Sequence, residues 1–141
     1  MNNPPVDDAT AEYILNTRKA FEDLRQVAAQ IAGVLVLAAA GGATANSDHP
    51  MLKAAGELHR AASEALRSMR PTERAKEHHT RLLQAAGALG LALRTAQRIN
   101  VDAILAPVRA AYQDLQRASE SLPGFPMVAF EHGCCSVHIL R

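Results

Sequence analysis

Apolar side chains recur along this chain at steps of three and four, and the rhythm breaks at 41–50 ("GGATANSDHP"), 70–72 ("RPT") and 98–100 ("RIN"). Before the first break the line runs through Ile14, Thr17, Phe21, Leu24, Ala28, Ile31, Leu35 and Ala38, widened by Tyr13, Ala20, Val27 and Val34. The second segment gives Met51, Ala55, Leu58, Ala62, Ala65 and Met69. The third gives Leu82, Ala86, Leu89, Leu93 and Ala96, and its line extends backward to Ala75 and His79. The fourth gives Ile104, Val108, Ala111, Leu115, Ala118 and Leu122. A sustained 3–4 rhythm predicts amphipathic helices packed at shallow angles. The pattern places them near 8–40, 48–69, 72–99 and 102–122.

The breaks carry the punctuation that helices need. Asp7 and Asp8 are suited to cap the first helix and place negative charge at its positive end. Gly41 and Gly42 end it. Ser47 or Asp48 is expected to cap the second helix, with Pro50 in its first turn, where a missing N–H costs nothing. Thr72 is expected to cap the third, and Asn100 or Asp102 to start the fourth. Pro107 then implies either a later start or a kink. Short links at 70–72 and 99–101 favour antiparallel neighbours. The fold class is therefore all-α, an up-down antiparallel four-helix bundle over residues 1–122. Residues 123–141 form a second unit, a C-terminal arm.

That arm has a different pattern. After Leu122, "PGFPMVAFEHGCCSVHILR" opens with helix-ending Pro and Gly, then shows two short apolar runs around "EHGC". Such runs predict an extended arm or β-hairpin with Gly133 at the turn. A lone hairpin is marginally stable in water, so the arm should pack on the bundle or on a second subunit. The bundle's stripes are wide and rich in Ala, a thin core for one chain. A symmetric homodimer is the expected assembly.

Composition narrows the function classes. Fifteen basic residues against fourteen acidic leave a net charge of +1, without the basic excess of a nucleic-acid binder. The stretch "IAGVLVLAAAGGA" falls short of the ~20 residues that span a bilayer, so no membrane partner is expected. The polar, acidic start "MNNPPVDDATAEY" does not resemble an export signal. With two cysteines, it suggests a cytoplasmic protein with free thiols.

Chemistry concentrates in the arm. His132, Cys134, Cys135 and His138 offer soft nitrogen and sulfur donors suited to a zinc or copper ion. Against this, adjacent cysteines chelate one ion poorly, and no Cys-x-x-Cys knuckle is present. In an extended strand Cys134 and His138 would also stand about 13 Å apart. A reactive thiol activated by His132 is a second alternative, and cysteine as a small packing residue is the plainest. Within the bundle, His79 falls on the core line and His59 at the edge of the second helix's line. Folding about 70–72 brings them within a turn of one level, where they could share a ligand, a metal or a hydrogen-bond network, while the plain alternative is a half-exposed His79 bonded to water or a carboxylate. The Glu-x-x-His spacing of di-iron bundles is absent. Arg60, Arg67, Arg70, Arg74, Lys76 and Arg81 make a basic corner, but Glu64, Glu73 and Glu77 are interleaved as intrahelical partners. No phosphate-binding glycine loop or hydrolase elbow appears. The expectation is a non-enzymatic bundle acting through self-assembly or partner binding. The rival is a small metal- or thiol-dependent sensor or enzyme using the arm. The fold also permits an apolar ligand between helices, though no residue signals one.

Overall fold

The structure, a computed structural model, describes residues 6–40, 49–96 and 101–127. All regular structure among them is helical: α1 (Asp8–Ala39), α2 (Pro50–Ser68), α3 (Lys76–Ala96) and α4 (Val101–Ser121), with one 3-10 turn, Glu73–Ala75, ahead of α3. The arm beyond Met127, and with it the expected hairpin, lies outside the described residues.

The helix ends follow from their sequences, with two substitutions of role. Asp7 caps α1, its Oδ1 accepting from the Thr10 N–H at 2.7 Å. At α2 the cap is His49, whose Nδ1 accepts from the Met51 N–H at 3.1 Å, and Pro50 occupies the first turn. Ser47 and Asp48, the expected caps, lie outside the described residues. Thr72 makes no capping bond; its hydroxyl meets that of Thr10 at 2.8 Å instead. α4 opens at Val101 and runs through Pro107, so the later start is not taken.

Neighbouring helices meet along lines of small and branched side chains. Thr17 and Gly33 of α1 face Met69 and Met51 at the two ends of α2. His79 of α3 bonds the Leu66 carbonyl of α2, and His59 of α2 bonds the Ala86 carbonyl of α3. Arg81 reaches Asp114 of α4 at 3.7 Å. Gly124 turns the chain back after α4 at φ 93°, and a Cβ there would press on Ile14 and Arg18. Glycine is needed both for the backbone and for the space. Phe125 then buries against Phe21, ring centroids 5.1 Å apart.

The predicted core lines hold in α1 and α4, where every residue from Ile14 to Leu35 and from Ile104 to Leu122 on those lines is buried. α2 is turned by about one residue: Leu52, Ala55, Ala62 and Leu66 are buried, while Met51, Leu58, Ala65 and Met69 pack at the edge. In α3 the line steps from Ala75 to His78 to Leu82, so His78 is the buried histidine and His79 is half-buried. The 3-10 turn explains the shift, since three residues per turn rather than 3.6 favour the shorter step. Leu93, expected in the core, is also half-buried.

Candidate functional site

α1 is longer than its partners, and its first turns run past the end of α2, because Thr17 already stands opposite Met69. This overhang covers the link to α3 and the first turn of that helix. Under it lies a set of directed polar contacts. Tyr13 Oη meets His78 Nδ1 at 2.9 Å. The His78 ring is fully buried, edge-on to Tyr13 at 5.6 Å and tilted against Phe125 at 4.2 Å. Thr17 supports Tyr13 by donating to its backbone carbonyl at 2.6 Å. Three of the chain's five aromatic side chains, Tyr13, Phe21 and Phe125, are used here, so the scarce large side chains are gathered at one end.

Burial pushes the Tyr13 phenol up to about 12. Burial, reinforced by the neighbouring His79, pushes His78 down to about 4. Both groups are therefore neutral near pH 7. Nε2 of His78 has no hydrogen-bond partner. If the tyrosine O–H donates to Nδ1, one ring N–H is left orphaned. If Nδ1–H donates instead, the hydroxyl hydrogen and the Nε2 lone pair are both orphaned. The first arrangement leaves fewer groups unpaired, at a cost of about 1–3 kcal/mol for the orphan. The pair is a buried polar contact between α1 and α3.

On the solvent side of Tyr13 lies an open cleft of about 390 Å³, lined by Glu12, Asn16, Ser68, Arg70 and Thr72 among others. His78 does not line it, so the orphaned nitrogen is not part of this cleft.

The two histidines singled out from the sequence serve separate points. His59 Nε2 donates to the Ala86 carbonyl at 2.7 Å, and His79 Nε2 to the Leu66 carbonyl at 2.8 Å. Their positions along the α2–α3 seam differ by seven residues on each helix, about 10 Å at 1.5 Å per residue. Each ties one helix to a carbonyl of the other, and His79 satisfies one of the last carbonyls of α2. The basic corner is dispersed in the same way: Arg60 pairs with Glu64, Lys76 with Glu73, and Arg81 reaches across to Asp114. His132, Cys134, Cys135 and His138 lie outside the described residues. Among the described residues no group of three or more His, Cys, Asp or Glu is placed to hold a metal ion.

The Tyr13–His78 pair was missed in the sequence because its members are 65 positions apart, and no local pattern joins them. The available signal was His78 standing three residues after Ala75 and four before Leu82, on an alternative line with the same rhythm. No protein-family model matches the chain, and comparisons with curated proteins and with solved structures return no match.

Proposed function

We propose that the chain is a non-enzymatic, up-down antiparallel four-helix bundle that acts through self-assembly or partner binding, as a homodimer. The helix order is supported by the paired contacts, in which rising numbers on α1 meet falling numbers on α2, and likewise for α2 with α3. The observation that carries the assembly is a straight apolar ridge on the outer face of α3. Leu83 and Leu91 are 37% and 49% exposed, with Gly87 exposed midway between them and open space above it. Four residues separate each leucine from the glycine. A two-fold axis at Gly87 would thus set Leu83 against the partner subunit's Leu91 and bring two α3 helices close. Exposed Thr80, Gln84 and Arg94 form a polar rim.

A cytoplasmic setting accords with the two cysteines, and no helix among the described residues is long and apolar enough to cross a membrane. The balanced net charge of +1 gives no basis for nucleic-acid binding.

Sedimentation of the wild-type chain and of Leu91→Glu tests the proposal. A wild-type dimer that the substitution shifts to monomer, with helicity kept in circular dichroism, supports it. A wild-type monomer across the accessible concentration range overturns it. Metal analysis of untagged protein decides between this reading and the rival: stoichiometric zinc or copper would move the function to His132, Cys134, Cys135 and His138.

A further inference from the structure

We infer that the cleft beside Tyr13 is a binding site for a small zwitterion, an α-amino acid with an apolar side chain. None of the residues lining it belongs to α3, so this goes beyond the assembly proposal and does not rest on it. The cleft follows from where α2 stops. Ala9, Glu12, Tyr13 and Asn16 lie at steps of three and four on one face of α1. Further along α1 the same side is covered by α2, with Thr17 against Met69 and Gly33 against Met51. α2 ends at Ser68, and Pro71, with no N–H and a fixed φ, prevents another turn. The chain crosses instead through Met69, Arg70 and Thr72, leaving about 390 Å³ beside the face that a further turn of α2 would have covered. That is at the small end of ligand pockets, which run from roughly 300 to 1,000 Å³.

The cleft holds both signs of charge. Glu12 comes from α1 and Arg70 from the link, and neither makes an ion pair or hydrogen bond with any described residue, the other included. Two neighbouring cations are taken up elsewhere, Lys76 by Glu73 and Arg81 by Asp114. Opposite charges that face one cleft without closing on each other suit a ligand that carries both.

The polar groups divide accordingly. The Arg70 guanidinium offers a fork of donors to a carboxylate, and the Thr72 hydroxyl can add one more while it accepts from Thr10. The Glu12 carboxylate and the Asn16 amide oxygen are acceptors for an ammonium. Ser68 joins them as an acceptor, because its own hydrogen already goes to the Ala65 carbonyl at 2.8 Å. Ala9, half-buried Met69 and buried Tyr13 supply apolar surface, which favours an apolar side chain on the ligand. The apolar part is preformed: Tyr13 is held by His78 at 2.9 Å and the Met69 sulfur by Thr17 at 3.4 Å, so binding has little ordering to do there.

NMR titration of the full, isotope-labelled chain with L-leucine tests this. N-acetyl-leucine, which lacks the ammonium, and leucinamide, which lacks the carboxylate, are titrated beside it. The expected result is saturable shifts at Asn16, Met69, Arg70 and Thr72, with each one-charge analogue binding about tenfold more weakly. Two variants at exposed side chains then assign the ends of the ligand. Arg70→Gln should lose the preference for leucine over leucinamide and keep the preference over N-acetyl-leucine. Glu12→Gln should do the reverse. Equal affinity for the three compounds, unchanged preferences in either variant, or no saturable shift at the solubility limit of L-leucine overturns the inference.

Discussion

The two halves of this bundle are held by different means. At the end where α1 overhangs, Tyr13, Phe21, His78 and Phe125 are buried together, with Thr10 and Thr17 making side-chain bonds beneath them. In the other half the buried residues are Ala, Val, Leu and Ile, from Ala28 and Leu35 to Ala92 and Val108, with no buried aromatic ring among the described residues; Gln30 there buries its Oε1 without a partner. Large rings and directed bonds fix one geometry, because each fits only one partner. Small side chains let helices approach closely but slide with little cost. The first half should therefore set which way the helices meet, and the second should tolerate exchange.

The sharpest test is truncation on both sides of that divide. Phe21→Ala should cost about 3–5 kcal/mol, since Phe21 is 1% exposed and supports Phe125. Leu89→Ala, also fully buried, should cost about 2–5 kcal/mol. Leu93→Ala, half-buried, should cost less than either. Urea denaturation reads all three. A Phe21 variant no less stable than the Leu93 variant would dissolve the contrast.

How much of this was legible depends on what sits beside the stripe. In α1 and α4 polar or charged residues bound the apolar stripe, such as Arg18, Glu22 and Arg25 around Phe21, so the buried face was unambiguous. α2 has Ala at 54, 55, 61, 62 and 65, and two neighbouring lines satisfy the same rhythm. The histidine pair at 78 and 79 repeats the problem: either fits a helical step, and only the 3-10 turn chose between them. The Tyr13–His78–Phe125 cluster joins three distant segments, and contact at that range leaves no periodic trace.

The next effect is pH dependence. His78 binds its proton at about 4 in the folded chain, below its ordinary 6.5. Between those values the unfolded chain holds more protons, so stability is full above pH 6.5 and falls as pH drops towards 4. The loss reaches about 3 kcal/mol at 1.36 kcal/mol per unit. Acidic groups add their own slope, so the measurement is a difference: His78→Leu should flatten the fall relative to wild type in that window. Tyr13 and Phe125 pack on the ring, His79 acts on its charge, and all three stay in both proteins, which leaves His78 as the variable. Parallel curves would show that the buried ring does not resist protonation.

The smallest effect compares two glycines in the small-residue half. A Cβ at Gly56 meets nothing within 4 Å, whereas at Gly90 it meets the His59 ring at 3.2 Å. Both lie inside helices, where alanine is intrinsically better by roughly 0.5–1 kcal/mol. Gly56→Ala should therefore gain about that amount. Gly90→Ala should lose it, because His59 cannot withdraw without giving up its bond to the Ala86 carbonyl. A net hydrogen bond is worth about 1 kcal/mol, enough to cancel or reverse the gain. The double variant Gly90→Ala with His59→Ala separates the causes. Removing the ring frees the space, so adding Gly90→Ala to His59→Ala should be stabilising, as at Gly56. If Gly90→Ala is as favourable in the wild-type background, the His59 tie is loose, and small side chains alone hold the α2–α3 seam.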